Sequence, residues 1–191
     1  MTDTSPVTRQ FDGLTIPAPG TYELDQAHKV VGFVARHMMV SKVRGVFDEA
    51  TATITVAEDP LQSSVVATIQ AASINTGQPD RDTHLRSGDF LESEKYETLE
   101  FRSTGVKSHR GNEFVLGGEL TIKDVTRPVD LKVEFEGVGR SPFGQDIFGF
   151  TASTEIDREE FGLTWNVALE TGGVLVGKKI KIELEGEAIR Q

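Results

Sequence analysis

The chain has 191 residues, enough for one domain with a sizeable core, and no cysteine, which excludes disulfides, thiolate metal sites and cysteine nucleophiles. Its 30 acidic residues against 20 basic ones give a formal net charge of −10, a balance that repels nucleic-acid phosphates and anionic lipid headgroups. No apolar run is long enough to cross a bilayer, and the opening "MTDTSPVTRQFDG" lacks the features of a secretory signal, so no stable membrane insertion is expected and the expected compartment is cytoplasmic.

The first 19 residues carry three prolines and read as a partly ordered lead-in, with residues 20–191 as the folded domain. Tyr22–Leu24 and Val30–Ala35 read as short strands. "RHMMVSKV" at Arg36–Val43 breaks the pattern: His37, Met38, Met39, Val40 and Val43 fall on one face at helical spacing, and Gly45 permits an exit turn. Weak alternation over Gly45–Val56 and Val65–Ala72 predicts two further strands. The polar stretch "NTGQPDRDTHLRSGDFLESEKYETLEF" follows. Asp80 is placed to cap a helix through Arg86, and Ser87 or Asp89 to cap another through Lys95. The apolar residues of this stretch, Leu85, Phe90, Leu91 and Tyr96, are too few for a core of their own and suit a lid across a barrel mouth.

After Leu99–Val106 the period-two signal becomes strong. In Glu113–Asp124, Phe114, Leu116, Gly118, Leu120 and Ile122 share one face. In Pro128–Gly137, Val129, Leu131, Val133 and Phe135 alternate with charged residues. Gly149–Ile156 is weaker, and in Lys178–Arg190 the residues Ile180, Ile182, Leu184 and Ala188 alternate with lysines and glutamates. Turn signals such as "KDVTRP" and "GRSPFGQD" separate these runs. Each strand thus has one dry and one wet face, which predicts an all-β, antiparallel architecture. Eight or nine such strands can close into a barrel with room for a ligand or pack as two sheets, and the alternation alone does not choose.

Candidate chemistry is sparse. The four histidines are His28, His37, His84 and His109, and no HxH, HxxxH or HExxH spacing points to a metal centre. No Gly-rich elbow presents a serine nucleophile. Asp82 and His84 would form an acid–base pair if their loop folded back, although residues so close together more often cap helices or bind backbone groups. Gly117-Gly118 and Gly172-Gly173 read as bulges or close backbone approaches. Arg36 and Arg44 flank the methionine segment as solvated ends or as the rim of a pocket, and Met38 suits either core filling or a cavity of variable content.

Five phrases in order, "YELDQAHKVVGFVARHMMVSKVRGVFD", "SINTGQPDRDTHLRSGDF", "LEFRST", "GELTIKDVTRPVDLKVEF" and "EIDREEFGLTWNVALETGGVLVGKKIKIELEGEA", resemble the YceI-like family from about Gly20 to Ile189. The resemblance implies a single extended eight-stranded antiparallel β-barrel, lipocalin-like in shape, with short helices over one mouth. It further implies a tunnel that holds a polyisoprenoid or similar amphiphilic lipid. The matching motif positions are His28, Phe33, His37, Val40, Ser41, Gly45 and Phe47, then Ile74, Asn75, Arg81, Asp82, His84, Leu85 and Phe90, then Phe101, Leu120, Thr121, Arg158, Phe161 and Gly162. The chain departs from many members at Lys29, at Lys123-Asp124 and in showing no secretory signal.

The resemblance and the residues together imply non-enzymatic binding, transport or storage of a long-chain lipid such as an isoprenoid quinone, with no cofactor required. The expected ligand-binding set is Phe33, His37, Met38, Val40, Phe47, Arg81, Asp82, His84, Leu85, Phe90, Leu91, Phe101 and Phe161, with no catalytic and no metal-binding residue. Burying one CH₂ contributes about 0.8 kcal/mol, so an isoprene unit contributes roughly 4 kcal/mol gross, part of which ordering of the chain offsets. The alternatives are an enzyme using His84 and Asp82 on a buried apolar substrate, or a stress-response interaction module. A homodimer is compatible with the family.

Overall fold

The computed structural model describes residues 7–191, so the first six residues of the lead-in lie outside the described part. A hairpin of β1 (Thr8–Phe11) and β2 (Leu14–Pro17) comes first. Ten strands of one sheet follow: β3 (Gly20–His37), β4 (Ser41–Phe47), β5 (Ala50–Val56), β6 (Ser64–Gln70), β7 (Ile74–Asn75), β8 (Thr98–Arg110), β9 (Glu113–Ile122), β10 (Val125–Arg140), β11 (Asp146–Asp157) and β12 (Val176–Arg190). One α-helix, α1 (Pro79–Arg86), occurs among the described residues.

Eight strands close the barrel. The order β12-β11-β10-β9-β8-β6-β5-β3 returns on itself because β3 also pairs with β12, and every pairing is antiparallel. β3 is the hub: Gly20–Glu23 bind β5, whereas Gly32–His37 bind β4, which with β7 forms a flap beside the barrel. Tyr22–Leu24 and Val30–Ala35, expected as two strands, are thus one strand with an interruption. Opposite Glu187 the extra residues Asp25–His28 loop out of the ladder, a bulge that bends the strand without ending it.

The alternating residues do what their period demands. In β10, Leu131 is buried and Val129, Val133 and Phe135 are half-buried, while Asp130, Lys132 and Glu134 are exposed. In β9, Leu116, Leu120 and Ile122 are buried and Glu113 and Glu119 exposed; in β12, Ala188 is buried and Lys179, Lys181 and Glu185 exposed. Closure leaves the inward faces nothing to pack on but one another and the lumen between them.

Two expected helices do not form. Residues 37–41 make a hairpin turn, in which Val40 N–H donates to His37 O at 3.1 Å; β3 and β4 each continue to its ends, and the helical spacing of the apolar residues is coincidental. Ser87–Lys95 is a run of turns wound on the end of α1: the N–H groups of Phe90 and Glu92 both donate to Ser87 O, and Leu91 N–H donates to Leu85 O. In α1 the cap is Gln78 rather than Asp80. Pro79 sets the start, and Asp80 and Asp82 sit in the first turn, where the positive end of the helix dipole favours them.

Candidate functional site: an apolar tunnel

Inside the barrel lies a cavity of about 430 Å³, within the range of small-molecule sites. Among the described residues its walls are aliphatic and aromatic almost throughout, and charge meets it only through Arg158 and Glu185. Val129, Val133, Ile180, Ile182 and Leu184 all line it and remain only half-buried, because the surface they present faces the lumen instead of a packed neighbour.

Wall shape is set by aromatic rings lying over glycines. A Cβ on Gly45 would stand 2.4 Å from the Phe33 ring, and one on Gly118 equally close to the Phe101 ring. No side chain larger than hydrogen fits beneath either ring. The close-approach reading of Gly118 therefore holds, whereas Gly172-Gly173 lie in a loop turn with φ of 85° and 92°.

At one end the lid closes the lumen. Leu85 from α1, with Phe90 and Leu91 from the turns after it, contribute to the lining, and Phe90 and Leu91 are buried. Polar contacts fasten this lid to the segment around β7. The buried Asp82 carboxylate accepts from Thr76 N–H at 2.9 Å and from Thr76 Oγ1 at 2.6 Å. Arg81 Nε donates to Thr76 Oγ1 at 2.7 Å, and Arg86 donates to the carbonyls of Ala72 and Ile74. His84 faces elsewhere. Its Nε2 lies 2.8 Å from Asp89 Oδ2, and its ring stands edge-on to Trp165 at 4.5 Å and to Phe90 at 5.1 Å. The Asp82–His84 pair considered from sequence is therefore not formed, since each residue has a different partner.

Arg158 lies beneath this end and is 2% exposed. Its Nε donates to Gly177 O at 3.0 Å, Nη2 to Val176 O at 3.4 Å, and Nη1 to Leu163 O. Burial pushes its guanidinium below the ordinary value, and neighbouring Glu159 and Asp157 oppose that shift. Its hydrogen bonds tie the chain after β11 to the start of β12. The opposite end is closed by the N-terminal hairpin, whose Phe11, Ile16 and Pro17 line the lumen. Arg9 anchors this hairpin through the carbonyls of Ala57 and Glu58.

Of the expected ligand-binding residues, Phe33, Phe47, Leu85, Phe90, Leu91 and Phe101 line the lumen together. Phe161, 1% exposed, packs in the surrounding core. Arg81 and the buried Asp82 fasten the lid through Thr76, and His84 pairs with Asp89 and packs on Trp165; none of the three lines the lumen. Met38 and Val40 are exposed at the β3–β4 turn, and His37 is at its base. Sequence reasoning left Leu116, Leu120, Leu131, Ile156 and Leu163 out of the ligand set, although the alternation had already put the first three on the dry face. It also missed Trp165, the chain's only tryptophan, whose packing on the lid no local pattern encodes.

A separate polar cluster occupies the β3 bulge. His28 Nδ1 lies 2.7 Å from Asp25 Oδ2 and 3.7 Å from Glu187 Oε2. The hydrogen bond to Asp25 raises the imidazole pKa above its ordinary value and lowers that of the carboxyl.

The family profile of the YceI-like domain matches residues 22–188. A UPF0312 protein of Staphylococcus epidermidis is 39% identical over 168 residues, covering 87% of this chain and 95% of its own. Among solved structures, BcnA of Burkholderia cenocepacia superposes with a TM-score of 0.73 at 22% identity, covering 86% of this chain and 98% of that one. A polyisoprenoid binding domain from Saccharophagus degradans, implicated in plant cell wall breakdown, gives 0.68 at 12% identity and covers 91% and 100%. These two likenesses establish a shared barrel fold.

Proposed function

The chain belongs to the YceI-like family, and we propose that it binds a long-chain amphiphilic lipid, a polyisoprenoid, isoprenoid quinone or similar, within the barrel tunnel, and carries or stores it without transforming it. The observation that carries this reading is the hollow lumen itself. A tube whose walls are almost wholly apolar offers a hydrocarbon chain burial along its length and offers a polar substrate few hydrogen-bond partners. The fold shared with a polyisoprenoid binding domain supports the same reading. Phe33, Phe47 and Phe101 would contact the chain, and Leu85, Phe90 and Leu91 would cover its end. Arg81 and Asp82 would act through the lid they fasten. The enzymatic alternative loses its dyad, because Asp82 serves Thr76 and His84 pairs with Asp89.

Trp165 supplies the readout, because its ring lies 5.3 Å from that of Phe90. Organic extraction and mass spectrometry of protein from its own host should yield a chain lipid in stoichiometric amount. Delipidated protein titrated with geranylgeraniol should give a saturable change in Trp165 fluorescence. Protein that carries no lipid and gives no saturable response would overturn the reading.

A further inference from the structure

The β3–β4 hairpin turn breaks a local rule. Met38 and Met39 have φ of 50° and 61°, a left-handed conformation at both centres of the turn His37–Val40 that Val40 N–H closes on His37 O, and one that Asn-Gly satisfies best. Two methionines occupy it instead. They do not turn inward to compensate: Met38, Met39 and Val40 are 42%, 58% and 81% exposed, and none lines the lumen. The tip continues sideways into the loop before β12. Met38 N–H donates to Leu175 O at 2.8 Å and Leu175 N–H to Val167 O at 2.9 Å, which sets the 44% exposed Val167 two chain segments away. Strain and exposure together at one tip point to a role outside the folded monomer.

Charge identifies the partner. Arg36 and Lys42 are cross-strand neighbours immediately behind the tip, both exposed, and neither has an acidic partner among the described residues. In a chain of net charge −10, most lysines on the adjoining strand are paired, as Lys178 is with Glu159 and Lys181 with Glu183. The loop adds one carboxylate, Glu170. An apolar tip with two unpaired cations about 7 Å behind it matches the layering of a bilayer interface, where acyl chains lie just below anionic phosphates.

We propose that the Met38-Met39-Val40 hairpin tip, backed by Arg36 and Lys42, docks the barrel on a phospholipid bilayer bearing anionic headgroups. Docking sets the lid end toward the membrane, because the loop hydrogen-bonded to the tip also carries Trp165, which packs on the lid. The net charge disfavours docking of the protein as a whole, and Arg36 and Lys42 oppose it at the tip itself. The inference rests on the outer surface and stands independently of what fills the tunnel.

Co-sedimentation with large unilamellar vesicles tests it, using phosphatidylcholine alone and phosphatidylcholine mixed with phosphatidylglycerol. The wild-type chain should bind the mixed vesicles, more weakly as salt rises. The double variant Met38→Asn/Met39→Gly should bind at least tenfold more weakly while melting at a higher temperature, since these residues suit the turn. That opposition of signs separates docking from misfolding. Arg36→Gln/Lys42→Gln should remove the preference for phosphatidylglycerol. Ala152→Phe, which alters only the lumen, should leave vesicle binding unchanged. Absence of binding to either vesicle would overturn the proposal. So would light scattering showing a dimer that the tip variant dissolves, which would make the tip a self-association surface.

Discussion

Replacing Ala152 by phenylalanine pushes an aromatic ring into the lumen from the middle of β11. Ala152 is 7% exposed and lines the tunnel between its cross-strand neighbours Val133 and Leu184. In a close-packed interior such overfilling would cost about 1–3 kcal/mol. In an open lumen the ring has space, and covering apolar wall stabilises the fold by roughly 1–2 kcal/mol, a rise in Tm of about 2–8 °C for a chain of this size. Binding moves the other way. The ring occupies the place of roughly six chain carbons, about 5 kcal/mol of gross contact. Even if the ligand slides to recover most of that, a loss of tenfold or more remains, at about 1.4 kcal/mol per tenfold. Differential scanning calorimetry and the geranylgeraniol titration of Trp165 read the two effects separately. A variant that melts lower and binds as wild type would refute the hollow-tube reasoning on both counts.

Three further outcomes are expected. Phe90→Glu places a carboxylate under the lid, loosening the lid but not the barrel; the strand signal in circular dichroism should persist while lipid recovered by extraction falls, and recovery equal to wild type would remove the lid from the binding site. Arg158→Met leaves the carbonyls of Leu163 and Gly177 without the guanidinium donor, while Val176 O keeps Asn166 Nδ2 at 2.8 Å, and should cost about 3 kcal/mol in urea unfolding; a loss under about 1 kcal/mol would mean that water replaces the guanidinium without penalty. His28 should titrate above, and Asp25 below, their ordinary values of 6.5 and 3.8. The imidazole's raised value contributes stability that is present below pH 6.5 and lost as pH rises through the folded value. The carboxyl's lowered value contributes stability that is present above pH 3.8 and lost on acidification. NMR titration checks both, and Asp25→Asn should return His28 toward its ordinary value.

The strongly alternating strands from Leu99 onward, their one-sided burial and the family were legible in the sequence, because each is written in residues close along the chain; the β1–β2 hairpin and the unbroken course of β3 into the β4 turn were not. A period of two is local, and Val129, Leu131, Val133 and Phe135 declare an inward face whatever lies opposite. What lies opposite was decided by tertiary structure. Alternation is the same for a packed sandwich and a hollow tube, and only the closure of β3 on β12 separates the walls widely enough to leave a lumen. Asp82 and His84, two residues apart, part company because Thr76 and Asp89 are brought to them by the folded lid. Met38 and Met39 looked helical because spacing says nothing of φ. Their left-handed turn follows from pairing on both sides of the tip, where two long strands leave the chain no other way to reverse.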